Sequence, residues 1–105
     1  MKPLCSFEYD GQRLVIVETD YVDSSQKALV IMTTGQLPEH YCNLTVKIAG
    51  ADALCAPGDY IIKTWSENEH IYHKLCDLEI LKPIYPISVS QWCDAWICTL
   101  NPITR

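Results

Sequence analysis

Apolar positions along the 105-residue chain recur mostly with a period of two, and one stretch alone has the period of a helix. Two such runs, Phe7 to Tyr9 and Gln12 to Tyr21, flank Asp10-Gly11. Asp-Gly between apolar runs predicts a β-hairpin, because a type I′ turn needs positive φ at both central residues. Leu14 to Val17 is apolar on both faces, the pattern of a central strand. Ala28 to Met32 predicts a second buried strand, closed by Thr33-Thr34-Gly35. Tyr41 to Ala49 alternates, with Cys42, Leu44, Val46 and Ile48 on one face and Asn43, Thr45 and Lys47 on the other. That alternation predicts a half-buried antiparallel strand. Asp59 to Thr64 reads as a further strand. Gln91 to Leu100 reads as the last, with Trp92, Trp96, Cys98 and Leu100 sharing a face. Pro83 and Pro86 are expected to break regular structure, leaving Ile87 to Val89 as a short strand.

The helical stretch lies within WSENEHIYHKLCDLEIL, residues 65–81. Ser66 and Glu69 have the spacing of a capping box, and Glu67 and Glu69 suit the positive end of a helix dipole. Ile71, Leu75 and Leu78 form one apolar stripe. The reading is a single α+β domain over residues 1–105. It consists of a twisted antiparallel sheet of about five to six strands with one amphipathic helix, about residues 67–78, packed on it.

Charge and reactive side chains narrow the function. The formal net charge is −5, which argues against a nucleic-acid binder or a protein that docks on anionic membranes. His70, His73 and Cys76 step by three, so His70 and Cys76 drift about 120° apart on the helix. A helical zinc pair steps by four and needs further ligands, and the chain has no CxxC. No metal or cofactor is expected. Six cysteines follow an N-terminus without an apolar leader, so the expectation is a cytoplasmic protein with reduced thiols. Four glycines leave no GxGxxG or Walker loop. Carboxylate pairs such as Glu8/Asp10 and Asp20/Asp23 fall where turns explain them. No enzymatic activity is expected.

What remains is the surface. Candidate partner-binding residues are the acidic helix positions Glu67, Glu69, Asp77 and Glu79, the acidic turn residues Asp20 and Asp23, and Trp65 before the helix. An exposed tryptophan would be the natural anchor of a protein interface. A homodimer formed through an edge strand, serving as an accessory protein of conjugation, is the alternative.

YDGQRL (9–14), the ALVIM strand, GQLPEHYCNLTVKI (35–48), the DYIIKTW strand and the late IYP together carry a resemblance. They resemble a family of short proteins of unknown function from mobile elements and phages of Gram-positive gut bacteria. The chain departs from it at Lys63-Thr64-Trp65-Ser66, where the family has an Asp-Thr-Asn-Asn-like run, and in the tail QWCDAWICTL. The family brings no catalytic residues. It implies the setting of a mobile-element accessory protein, where small acidic proteins include anti-CRISPR inhibitors that bind a basic effector such as Cas9. The expected partner is therefore such a protein, with no direct nucleic-acid or membrane contact.

Overall fold

The computed structural model describes residues 2–21 and 26–102. Its strands are β1 (Lys2–Tyr9), β2 (Gln12–Asp20), β3 (Lys27–Thr33), β4 (His40–Asn43), β5 (Asp59–Ile62), β6 (Leu81–Ser88) and β7 (Asp94–Leu100). The helix α1 (Glu69–Asp77) follows a 3-10 turn, Ser66–Asn68. The α+β class is as expected, but the strands form two antiparallel sheets in place of one. They are a four-stranded sheet, β1-β2-β3-β4, and a three-stranded sheet, β5-β7-β6.

The sheets part because the strand predicted over 41–49 changes partners midway. His40–Asn43 pairs with β3, and the Leu44 N–H still donates to the Leu29 carbonyl at 2.9 Å. On its other edge the chain then meets β5: Lys63 N–H donates to Leu44 O at 2.9 Å and Val46 N–H to Ile61 O at 3.1 Å. Thr45, expected on the polar face, is only 5% exposed. Its Oγ1 accepts the Leu29 N–H at 3.0 Å and shares a 2.8 Å hydrogen bond with the Tyr21 hydroxyl.

One core lies between the sheets. Phe7, Leu14, Ile16, Leu29 and Ile31 face Ile62, Leu81 and Cys98, and Ile71, Tyr72 and Leu75 of α1 complete the cluster. A second, smaller core lies behind the three-stranded sheet, where Val46, Ile48, Ala51 and Cys55 pack on Ile61, Ala95 and Ile97. β5 and β7 are thus covered on both faces, which is why their sequences are apolar without alternation.

The Asp10-Gly11 turn forms as expected, with φ of 53° and 77°. Three other expectations are corrected. Ser66 does not cap α1: its φ is +60°, and the helix starts at Glu69. The Asn68 side chain is drawn inward, donating to Asn43 O at 2.8 Å and Lys63 O at 3.1 Å. Pro83 and Pro86 do not break the chain but sit within β6, at the edge of its sheet, where a missing N–H is tolerated, with a register shift between Pro83 and Tyr85. The last strand starts at Asp94 and not at Gln91, so Trp92 is outside it. The opposite edge, β1, carries Pro3 and its own register shift. Proline and irregularity at both outer edges are features that discourage the edge pairing a strand-to-strand dimer would need.

Replacing Thr45 by valine keeps the shape and leaves the Leu29 N–H buried without an acceptor. The expected loss is about 1–3 kcal/mol, read as a lower urea midpoint at unchanged slope, with Thr45→Ser retaining most of the stability.

Candidate functional site

The three tryptophans are placed very differently. Trp65 packs in the second core, and Trp96 is half-buried against the first. Trp92 is 84% exposed. It sits in the β6–β7 turn, which local hydrogen bonds hold in shape: Val89 N–H to Cys93 O at 3.0 Å, Ser90 N–H to Cys93 O at 3.1 Å, and Trp92 N–H to Ser90 Oγ at 3.2 Å. Val89, Tyr85 and Ile84 of the same hairpin are also exposed, as is Leu54. The Tyr85 hydroxyl donates to Leu54 O at 2.7 Å, tying the 3-10 turn Asp52–Leu54 to the hairpin. The result is a run of exposed apolar side chains on a fixed ribbon ending in an indole. Sequence reasoning missed Trp92 because alternation was carried three residues too far. Ser88, Ser90 and Gln91 were the available turn signal.

The predicted acidic positions do not form one patch of unpaired charge. Glu67 is hydrogen-bonded to Lys63 at 2.8 Å, and the Lys63 ammonium lies 5.9 Å from the Trp65 ring centroid. Asp20 is ion-paired with Lys27, and Asp23 lies outside the described residues. Glu69 and Asp77 are exposed on α1. Glu79 comes just after the helix at φ 62°. There it takes the left-handed position of a Schellman ending, with Glu79 N–H bonded to Cys76 O and Ile80 N–H to Leu75 O.

His70 and His73 are exposed on α1, and no cluster of three or more metal-ligating side chains occurs among the described residues. No disulfide joins the cysteines. Burial pushes the Cys42 thiol up to about 11 and the Cys98 thiol up to about 12, so both stay protonated and are poor nucleophiles at neutral pH. No helix among the described residues is long and apolar enough to cross a membrane.

A second feature lies where β2 leaves the core. Glu18 shares the inward face of Leu14 and Ile16, a placement that period two alone predicts. Its Oε2 accepts the Tyr60 hydroxyl across the gap between the sheets. The pair borders a cleft of about 440 Å³, walled by Gln26, Lys27, Cys55, Pro57 and Asp59. Asp59 pairs with Thr99 at one end of β7, whereas the Trp92 turn precedes the other end. Cleft and Trp92 turn therefore lie at opposite ends of β7.

No family model, no curated protein and no solved structure matches this chain.

The Lys63 side chain, followed by Glu67's own N–H and the Ser66 hydroxyl, holds the Glu67 carboxyl down at about 2, from 4.5. A lowered folded value adds stability above the unfolded one and loses it as pH falls from about 4.5 toward 2. NMR titration should find Glu67 ionising below the usual carboxylate range. Lys63→Met should raise its pKa, and molar salt should shrink the shift because the pair is exposed to solvent.

Proposed function

We propose that the protein is a non-enzymatic binding protein that docks a protein partner through the ribbon ending in Trp92. Its specific role in this reading is to inhibit a host-defence effector of the Cas9 type, on behalf of a mobile element or phage. The observation that carries the docking surface is the 84% exposure of Trp92 on a turn whose backbone is already hydrogen-bonded. Leaving an indole in water forgoes its burial energy, and a rigid turn loses little entropy when the indole enters a partner's pocket. Tryptophan anchors of this kind dominate interface energetics.

The specific role rests on the family resemblance and on charge. With a net charge of −5, the chain suits a basic partner. Glu69 and Asp77, exposed on α1, supply a field that steers encounter more than it adds affinity. The paired Glu67 and Asp20 contribute less to that field, so wholesale mimicry of a phosphate backbone is not part of the reading.

Calorimetry with a purified, guide-loaded Cas9-type effector provides the test. The wild-type chain should bind. Trp92→Ala should weaken binding by about 2 kcal/mol or more without lowering thermal stability. Glu69→Gln with Asp77→Asn should slow association at low salt and leave dissociation nearly unchanged. Absence of binding at every ionic strength removes the Cas9-type role. Undiminished binding by Trp92→Ala moves the docking surface elsewhere.

A further inference from the structure

The cleft beside Glu18 has chemistry that a protein-docking ribbon does not need. We propose that it is a binding site for a small organic cation, a primary amine or guanidine on a short aliphatic chain. Two carboxylates, Glu18 and Asp59, line the cleft with one ammonium, Lys27, which is ion-paired with the neighbouring Asp20, and Lys2 of β1 stands opposite Glu18. With Asp20 and Lys2 counted, carboxylates outnumber ammonium groups by three to two, so the balance of charge at the cleft is negative.

The site is also shaped. One oxygen of Glu18 accepts the Tyr60 hydroxyl, and the other accepts nothing from the described residues, although the carboxyl is only partly exposed. Burial, then the bond to Glu18, pushes the Tyr60 phenol up, so it keeps its proton and remains a donor to Glu18. The bond turns the carboxylate to a fixed orientation and leaves its second oxygen as an acceptor.

The walls are pinned as well. Gln26 is 6% exposed and locked in both directions on Ile48, its Nε2 donating to the carbonyl at 2.8 Å and its Oε1 accepting the N–H at 3.3 Å. On the opposite rim, Asp59 closes its own turn. Its Oδ2 accepts the Ala56 N–H at 3.1 Å, and its N–H donates to the Ala56 carbonyl at 3.0 Å. Pro57 and Gly58, the latter at φ 92°, complete that turn and hold it near the Tyr60 ring. An ammonium or guanidinium would sit on the Glu18 oxygen with Asp59 near it, and its aliphatic part would lie along Pro57 and Ile61. A volume of about 440 Å³ suits a compact metabolite. A charge-assisted hydrogen bond in a partly water-excluded cleft is the strong kind.

The test uses the full chain, labelled with nitrogen-15, titrated with agmatine, with n-butylamine and with n-butanol as the uncharged control. Both amines should shift the amide signals of Ala56, Gly58, Asp59 and Tyr60 in a saturable way, and the alcohol should not. Glu18→Gln should weaken amine binding by about tenfold or more, because a charged acceptor is replaced by a neutral one. Asp59→Asn, at the rim, provides a second variant should Glu18→Gln fold poorly, and it should weaken binding in the same direction. The proposal is overturned if these four amides show no saturable shift at millimolar amine. It is equally overturned if butanol matches the amines, or if a folded Glu18→Gln or Asp59→Asn variant binds them as tightly as the wild type. Trp92→Ala should leave amine binding unchanged, and loss of amine binding in that variant would overturn the separation of the two sites.

Discussion

Six residues, 43 to 48, carry the chain from one sheet to the other, and the backbone they expose in crossing has to be satisfied inside the protein. Buried amides and carbonyls without partners cost free energy comparable to a lost hydrogen bond each. Among the described residues the buried polar ones are Gln26, Thr45 and Asn68, and each one serves this crossing. Gln26 bonds Ile48 in both directions, Thr45 accepts the Leu29 N–H, and Asn68 donates to the Asn43 carbonyl. A side-chain amide or hydroxyl thus replaces a strand at each point where the ladder stops. If these bonds fail, the two sheets have no common backbone, and the core between them has one wall fewer.

Both proposed sites depend on that crossing. Because residues 44–46 pair with β5 on one side, β5 lies beside the four-stranded sheet, and Tyr60 meets Glu18 across the gap. Because Gln26 holds Ile48, the chain from Val46 to Cys55 lies over Ile61, Ala95 and Ile97 and brings Leu54 under Tyr85. The β6–β7 hairpin is therefore supported from behind, and Trp92 extends from a braced ribbon.

What could be read from the sequence was what short-range physics decides. Asp10-Gly11 forms its turn because the required φ values are a property of those two residues. The apolar stripe Ile71, Leu75 and Leu78 identified the helix for the same reason. Its first residue was not legible, since Asn68 answers to carbonyls at positions 43 and 63 that local spacing cannot reveal. The same holds for Thr45, whose polar side chain in an alternating run reads as solvent-facing until a second sheet arrives. Pro83 and Pro86 read as breakers because their tolerance depends on β6 being an edge, a tertiary fact. Of the candidate site, Trp65 was legible as a tryptophan but not as part of the second core. Glu18 was legible in principle, since it continues the inward face of Leu14 and Ile16.

The distribution of charge follows from the same economy of partners. An acidic chain has few cations, and this one places Arg13 against Glu8, Lys27 against Asp20 and Lys63 against Glu67. These pairs are exposed, and pairs of that kind add little stability. Their effect is to decide where negative potential is left over. At the cleft Lys27 is ion-paired with Asp20, and Glu18 is engaged on one oxygen by an uncharged phenol. On the helix Glu69 and Asp77 are exposed, with the ammonium of Lys74 on the same helix between them. From sequence, the acidic charge was expected on the helix, at Glu67, Glu69, Asp77 and Glu79, and at the turn residues Asp20 and Asp23. Pairing at Arg13, Lys27 and Lys63 makes the distribution uneven, with Glu18 and Asp59 at the cleft and Glu69 and Asp77 on the helix outside those three pairs. In the proposed reading, a chain of this size presents a charged cleft and an exposed indole at opposite ends of one strand, β7.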